Sequence, residues 1–417
     1  MTRAWRLPLL LLLLAVVVRI CALGVAAAGG RFPDFWEPEI LARNLLAGRG
    51  YVYPELNNLY RAYMEPLYPG LVAAVYLVTG GSAVALALVQ CVVSALTAPA
   101  VYAFTRRTFD ESSAIVAGLL VCVNPGLAGY AVKFHPLALD ALLLVLVALT
   151  LLQLAQEPTG ARGLLFGLAL GACVLTRPTV LVFVVVATVG LAVSVGGRFT
   201  RHAVLGVVVA ALIVAPWVIR NYRALDTFVL TRTNTGYVFW LGNHPGTSGG
   251  AADRADPTSS LSQLATAPAE LQRRVLSAGE VEQNRILFTE ALRYVREEPV
   301  AFMTRWVRKL AYFWWFPPYG GKRYPGWQLR VYQAFYALLL AAALTGVIRA
   351  ARAPSPGHHP GLALAILLPL GVGAAQALFY IEGRHRLAVE PMLAVPAGYG
   401  LAWLHETLRR PRTPLLS

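Results

Sequence analysis

Acidic residues are scarce in this chain, yet Asp34, Glu37 and Glu39 crowd into one stretch, PDFWEPEILARNLLAGRGY, from Pro33 to Tyr51. A carboxylate here can take a proton from a hydroxyl or amine, as a general base does. Asp34 can equally cap a helix that opens near Glu37 with Pro38 in its first turn. More charged residues occupy the polar breaks between apolar runs: Lys133, His135 and Asp140; Arg177; Arg220, Asn221 and Arg223; and EGRHR, from Glu382 to Arg386. Guanidinium and ammonium groups neutralise phosphates, arginine bidentately. Lys133, His135, Arg177, Arg384 and Arg386 are therefore candidates for holding a phosphate, although such arginines also snorkel to phospholipid headgroups. Asp140 stands at the edge of an apolar run, where a carboxylate is costly without a partner, and Lys133 is the available one. Asn243 and His244, in GNHPGTSGG, and Glu382 are candidates for a substrate-facing loop; the glycines there also suit a plain flexible loop.

The elements that must position these residues are written for lipid. The chain has 417 residues, of which 57% are hydrophobic and 14% charged, with a mean hydropathy of +0.58. Soluble domains are about one quarter charged. A span needs ~20 apolar residues to cross ~30 Å of hydrocarbon, and Leu7 to Ala28 is nearly unbroken apolar sequence. Its flanks resemble a cleavable signal peptide, but its length and Arg19 inside it favour an uncleaved first span. The net charge of +15 fits topology signals and lipid phosphates in such a chain, with no nucleic-acid partner. Cys21, Cys91, Cys122 and Cys173 all fall in apolar runs and read as packing residues, with no metal spacing.

Hydropathy predicts about ten spans, at roughly 7–28, 82–104, 112–130, 137–155, 163–176, 178–196, 203–219, 330–348, 361–380 and 387–405. The fifth and sixth meet at Thr176, Arg177 and Pro178, as in a hairpin. Arg3, Arg6, Arg106, Arg107, Arg162, Arg198, Arg201, Arg349, Arg352, Arg409, Arg410 and Arg412 make every short loop on one side basic. That side is predicted to be cytoplasmic, with both termini on it. Residues 1–417 form a single integral membrane domain. Two long extracytoplasmic segments, 29–81 and 220–329, are predicted to lack the size of independent domains and to carry helices lying on the outer leaflet. Ile40, Leu41, Leu45 and Leu46 form an apolar stripe in the first. Trp306, Tyr312, Trp314 and Trp315 form an interfacial aromatic belt in the second.

Several stretches together resemble the polyprenyl-phosphate-sugar-dependent glycosyltransferases of the GT-C superfamily, most of all the bacterial branch related to protein O-mannosyltransferases and the lipid A aminoarabinose transferase. They are Asp34, Glu37, Ala42, Leu46, Gly48, Gly50 and Tyr51, then PLYP (Pro66 to Pro69), LTRP (Leu175 to Pro178) and PWVIRNY (Pro216 to Tyr222). TNTGYVFWLGNHPGTSGG (Thr233 to Gly250), YFWWFPP (Tyr312 to Pro318) and EGRHRLAVEPML (Glu382 to Leu393) follow in the expected order. Pro38 and Glu65 depart from the pattern, where relatives often carry a tyrosine and a basic residue.

The resemblance implies an all-α bundle of GT-C type that moves a sugar from a polyprenyl-phosphate donor to a lipid, glycan or protein acceptor by inverting displacement. The implied place is a bacterial inner membrane, with the site on the extracytoplasmic face. Asp34 would be the base, Glu37 a supporting acid and Asp140 the acid of the fourth span. Lys133, Arg177, Arg384 and Arg386 would face the lipid phosphate. No cofactor is required, and a metal, to which Glu37, Asp140 and His244 could contribute, is not argued by spacing. Two other classes stay open: an O-antigen ligase or polymerase using a pyrophosphate-linked donor, and a lipid-linked sugar flippase or transporter. Ionisable residues at the membrane edge and the lack of paired repeats speak against transport.

Overall fold

The structure, a computed structural model, describes residues 3–247, 249–250, 260–317, 326–352 and 360–409. Ser248, Pro318, Arg410 and Arg412 of the stretches above lie outside the described residues. The first helix is α1 (Arg3–Ala28). The first long segment then carries α2 (Glu37–Leu46), a hairpin of β1 (Tyr53–Glu55) and β2 (Asn58–Tyr60), and the apolar α3 (Leu67–Thr79). Next come α4 (Ala83–Ala95), α5 (Thr97–Thr108), α6 (Glu111–Cys122), α7 (Pro125–Tyr130), α8 (Leu137–Gln156), α9 (Gly160–Val174), α10 (Val180–Val195) and α11 (Gly197–Leu225). The second long segment holds α12 (Thr235–Asn243), α13 (Ser260–Leu264), α14 (Ala269–Leu276), α15 (Glu280–Glu297) and α16 (Pro299–Trp314). The chain continues through α17 (Gly326–Ala351), α18 (Pro360–Gln376), a 3-10 helix (Gly383–Ala388) and α19 (Glu390–Arg409).

By length and composition, α1, α4 with α5, α8, α11 and α17 can cross a membrane, and α3, α6, α9, α10 and α18 are shorter apolar helices. The protein is a multi-pass membrane protein. A helix stands at each of the ten predicted spans. α8 is its axis, buried nearly all round and packed against α4, α5, α9 and α18. Close approach of α9 and α11 depends on glycine: a Cβ on Gly167 would lie 2.5 Å from the Gly206 carbonyl. The predicted hairpin of the fifth and sixth spans turns at Thr176 to Pro178 but does not stay paired. α9 packs along α11 and α8, whereas α10 leans mainly on α18.

The predicted span at 112–130 is broken, and the break explains Arg19. Asn124 caps α7 by accepting from the backbone N–H of Leu127 at 3.0 Å, and Pro125 has no N–H to continue α6. The last carbonyls of α6 are thus left without helical partners. Arg19, fully buried, donates to the carbonyls of Cys122 at 2.6 Å and Val121 at 3.0 Å and to Ser94 Oγ at 3.2 Å. A cation at a helix C-terminus also meets the negative end of the dipole.

The basic residues of the short loops and the candidate site lie at opposite ends of the bundle. Arg107, late in α5, reaches Gln156 at the last residue of α8, and Arg162 donates to the carbonyl of Gln153. Asp140 stands in the first turn of α8. The second long segment has a small core of its own. Tyr237, Trp240 and Leu241 of α12 pack on Leu271, Val275, Ile286 and Leu287 of α14 and α15, with Leu56 from the first segment. The buried Glu280 ties the two segments together by accepting from the backbone N–H of Ala62 at 2.8 Å and of Arg61 at 2.6 Å, and from the Thr233 hydroxyl.

Replacing Arg19 with leucine orphans two buried carbonyls. Arg19→Leu is expected to destabilise the protein by about 2–4 kcal/mol, read as a lower Tm in detergent; an unchanged Tm would refute the capping role.

Candidate functional site

Asp34 is not a helix cap. The N-cap of α2 is Trp36, which makes no side-chain cap bond. Asp34 instead runs beside Lys133 in a short parallel bridge, its carbonyl accepting from the N–H of Phe134 at 3.1 Å. Its carboxylate meets the Lys133 ammonium at 2.9 Å, with both side chains largely buried. Lys133 is therefore not the partner of Asp140. That partner is Arg177, whose Nε lies 3.1 Å from Asp140 Oδ2; the turn between α9 and α10 delivers it. Lys133 is held in place from behind, since Gln90 donates to its carbonyl and accepts from the Tyr68 hydroxyl at 2.5 Å.

Trp36 joins these pairs to the C-terminal segment. The Arg384 guanidinium lies 5.0 Å from the centre of its ring, and the His135 ring meets it edge-on at 5.1 Å. His135 Nδ1 accepts from the N–H of Leu137 at 3.3 Å, steadying the first turn of α8. Arg384 pairs with Glu382. Burial opposes its charge, but Glu382, then Tyr380, Tyr130 and Glu37, outweigh that and hold its pKa above the ordinary arginine value. Glu37, first residue of α2, thus faces Arg384. A fourth pair, Arg232 with Glu65 at 3.4 Å, completes the cluster. Burial first, then Arg384, Arg177, His135 and Arg232, pushes the His385 imidazole well below its ordinary value, so it is neutral at pH 7.

Three predicted site residues are placed elsewhere. Arg386 turns into the bundle: its Nε lies 3.2 Å from Glu390 Oε1, in a pair almost wholly buried. Glu390 also accepts from Asn124 Nδ2 at 2.9 Å and from the Tyr332 hydroxyl, and the Arg386 guanidinium stacks on Phe316 at 3.8 Å. Asn243 is fully buried and donates to the carbonyls of Phe239 and Leu378 at 2.8 and 2.7 Å. His244 stacks on Trp240 at 4.4 Å. Asn243 belongs to the joint between the end of α12 and the chain just beyond α18. Glu39 pairs with Arg43 on its own helix. Among the described residues no three His, Cys, Asp or Glu side chains gather as a metal site.

Sequence reasoning did not single out Trp36, Arg232 or Tyr380. Trp36 carried a signal, lying between the two acids of the opening motif. Arg232 carried none, because only the fold sets it opposite Glu65.

Residues 65–219 match the family described as dolichyl-phosphate-mannose-protein mannosyltransferase. No curated protein sequence matches the chain. Among solved structures, the apo oligosaccharyltransferase of Archaeoglobus fulgidus is similar at 15% identity and a TM-score of 0.56, over 98% of this chain and 51% of that one. The same archaeal enzyme, AglB, in complex with an inhibitory peptide and a dolichol-phosphate is similar at 14% identity and a TM-score of 0.56, again over 98% and 51%. The chain shares the fold of these archaeal oligosaccharyltransferases. ArnT from Cupriavidus metallidurans bound to undecaprenyl phosphate is matched at 17% identity and a TM-score of 0.46, over 96% of this chain and 79% of that one. The chain spans about half the length of the archaeal oligosaccharyltransferases it matches. Its cluster contains acids and bases from six separate stretches, able to take a proton at Asp34 and to neutralise an anion at Arg384, Arg177 and Lys133.

The depressed His385 pKa sets a pH response. Above the ordinary value of 6.5 both folded and unfolded states are neutral there; below it only the unfolded state takes the proton, so stability is lost as pH falls. His385→Gln is expected to flatten the fall in Tm between about pH 7 and 5; an equally steep fall would contradict the assignment.

Proposed function

We propose that this protein transfers a sugar from a polyprenyl-phosphate donor to an extracytoplasmic lipid, glycan or protein acceptor. The observation that carries the reading is the Asp34–Lys133 pair standing beside Trp36 and Arg384. A base is thereby set next to a site for an anion. The match of residues 65–219 to a family described by a dolichyl-phosphate-mannose donor supports it, as does the fold shared with a protein whose structure contains a dolichol-phosphate.

In this reading Asp34 takes the proton of the acceptor hydroxyl or amine as that atom attacks the anomeric carbon. The bond from that carbon to the phosphate oxygen breaks on the opposite side, inverting the configuration. The lipid phosphate leaves with the electron pair, and Arg384, Arg177 and Lys133 hold the charge. His135 steadies the α8 end. Every one of these cations already meets a carboxylate: Lys133 meets Asp34, Arg177 meets Asp140 and Arg384 meets Glu382. They are thus preorganised, and an incoming phosphate shares them. When Asp34 is protonated its hold on Lys133 weakens, which frees that ammonium as the leaving group gains charge. Glu37, facing Arg384, supports the acceptor side. The cationic side chains supply the charge neutralisation, so the reading requires no cofactor.

The basic short loops at the far end of the bundle support a reading in which both termini are cytoplasmic and the cluster is on the other face. Arg386 acts here through Glu390, fixing the start of α19, and is not itself a phosphate ligand.

With donor and acceptor supplied, Asp34→Asn is expected to lower kcat by ~10²–10⁴-fold while the protein still inserts into the membrane. Arg384→Ala is expected to raise the donor KM about tenfold at near-normal expression. Normal transfer by Asp34→Asn would remove the base from the scheme, and an unchanged donor KM for Arg384→Ala would leave that arginine a headgroup anchor.

A further inference from the structure

One buried cation has no part in this scheme. Lys309, on α16, is fully buried, and among the described residues no carboxylate forms an ion pair with it. Its three N–H bonds are spent on oxygens: the carbonyl of Gly242 at 3.1 Å, Oδ1 of Asn243 at 2.9 Å and the carbonyl of Leu378 at 3.4 Å. Burial, with Arg305 nearby, lowers its pKa to about 7.

These acceptors come from two helix ends. Gly242 and Asn243 are the last residues of α12, and Leu378 lies just beyond α18. The exposed carbonyls and the negative ends of two dipoles offset part of the cost of burying the ammonium. The same joint is drawn tight on other sides. Asn243 donates to the Leu378 carbonyl at 2.7 Å, and the N–H of Ile381 donates to the Gly249 carbonyl at 2.8 Å. A Cβ on Gly242 would stand 2.6 Å from the Phe379 carbonyl oxygen, so only glycine lets the two backbones meet. The residues that emerge from this joint are Glu382, Arg384 and His385.

We propose that Lys309 is the positioning residue of the Glu382–Arg384 arm: by fastening the Leu378 carbonyl to the end of α12, it sets where the Arg384 guanidinium meets the lipid phosphate. This rests on Arg384 being a phosphate ligand, as proposed above. Lys309 does not touch the phosphate; it acts through the backbone from Leu378 to Ile381. A lysine that only stabilises the joint would lower Tm and leave the phosphate affinity of folded protein unchanged, whereas the positioning role couples Lys309 to Arg384.

The test is the affinity of the full chain in nanodiscs for undecaprenyl phosphate, with Tm measured in parallel. Lys309→Met is expected to weaken binding about tenfold, with Lys309→Arg recovering most of the loss. In the double variant, Arg384→Ala is expected to add little to Lys309→Met, since both remove one contact. If Lys309→Met does not fold, Lys309→Gln, which keeps two donors, carries the same expectation. Wild-type affinity in a folded Lys309 variant, or fully additive losses, would overturn the positioning role while leaving the phosphate site intact. Failure of the wild-type protein to bind the lipid would overturn both the role and the phosphate reading beneath it.

Discussion

The Asp34–Lys133 ion pair joins residues 99 positions apart, and the rest of the site face is arranged around it. It fastens the exit of α1 to the connection between α7 and α8. That holds Trp36 in place to receive Arg384 from near the other end of the chain. Neither partner is free to find water, because both side chains are largely buried. Removing either leaves a desolvated charge uncompensated, which is the costly event, even though the intact pair contributes little net stability. The pair is better understood as specifying one arrangement than as a source of cohesion.

The same constraint repeats across the face. Asp140 with Arg177 and Glu65 with Arg232 each join separate stretches at the edge of an apolar bundle, while Glu382 pairs with Arg384 within one. Arg19 and Lys309 answer it differently, taking helix-end carbonyls in place of carboxylates. Charges near lipid must be partnered, and several of those in this sequence mark junctions between segments. A preformed cluster of this kind stabilises developing charge without paying to reorganise water during the reaction.

Much of the fold was legible because apolar runs and their breaks are local. The helices at the ten predicted spans and α2 opening at Glu37 follow from patterns a few residues long. Partners were not legible. Asp34 looked like a cap for α2 because the spacing allows it, yet Lys133 outcompetes the helix end. Lys133 looked like the partner of Asp140 because it is nearby in sequence, but the turn at Arg177 brings a closer cation. Arg384 and Arg386 are two residues apart and read alike; the 3-10 helix turns one toward Trp36 and the other toward Glu390. Asn243 and His244 sat in a glycine-rich loop with a ligand-like composition, and the fold uses Asn243 to close a joint and stacks His244 on Trp240. In each case local pattern located the residue, and contacts distant in sequence decided its role.

The central claim is that a base at Asp34 and cations around Arg384 serve a sugar carried on a single lipid phosphate. The most direct measurement supplies purified protein in proteoliposomes with a polyprenyl-monophosphate sugar or its pyrophosphate-linked counterpart. Released lipid and the anomeric configuration of the product are then followed by mass spectrometry and NMR. The account predicts release of polyprenyl monophosphate with inversion at the anomeric carbon. Turnover of the pyrophosphate-linked donor alone, or retained configuration, would contradict it.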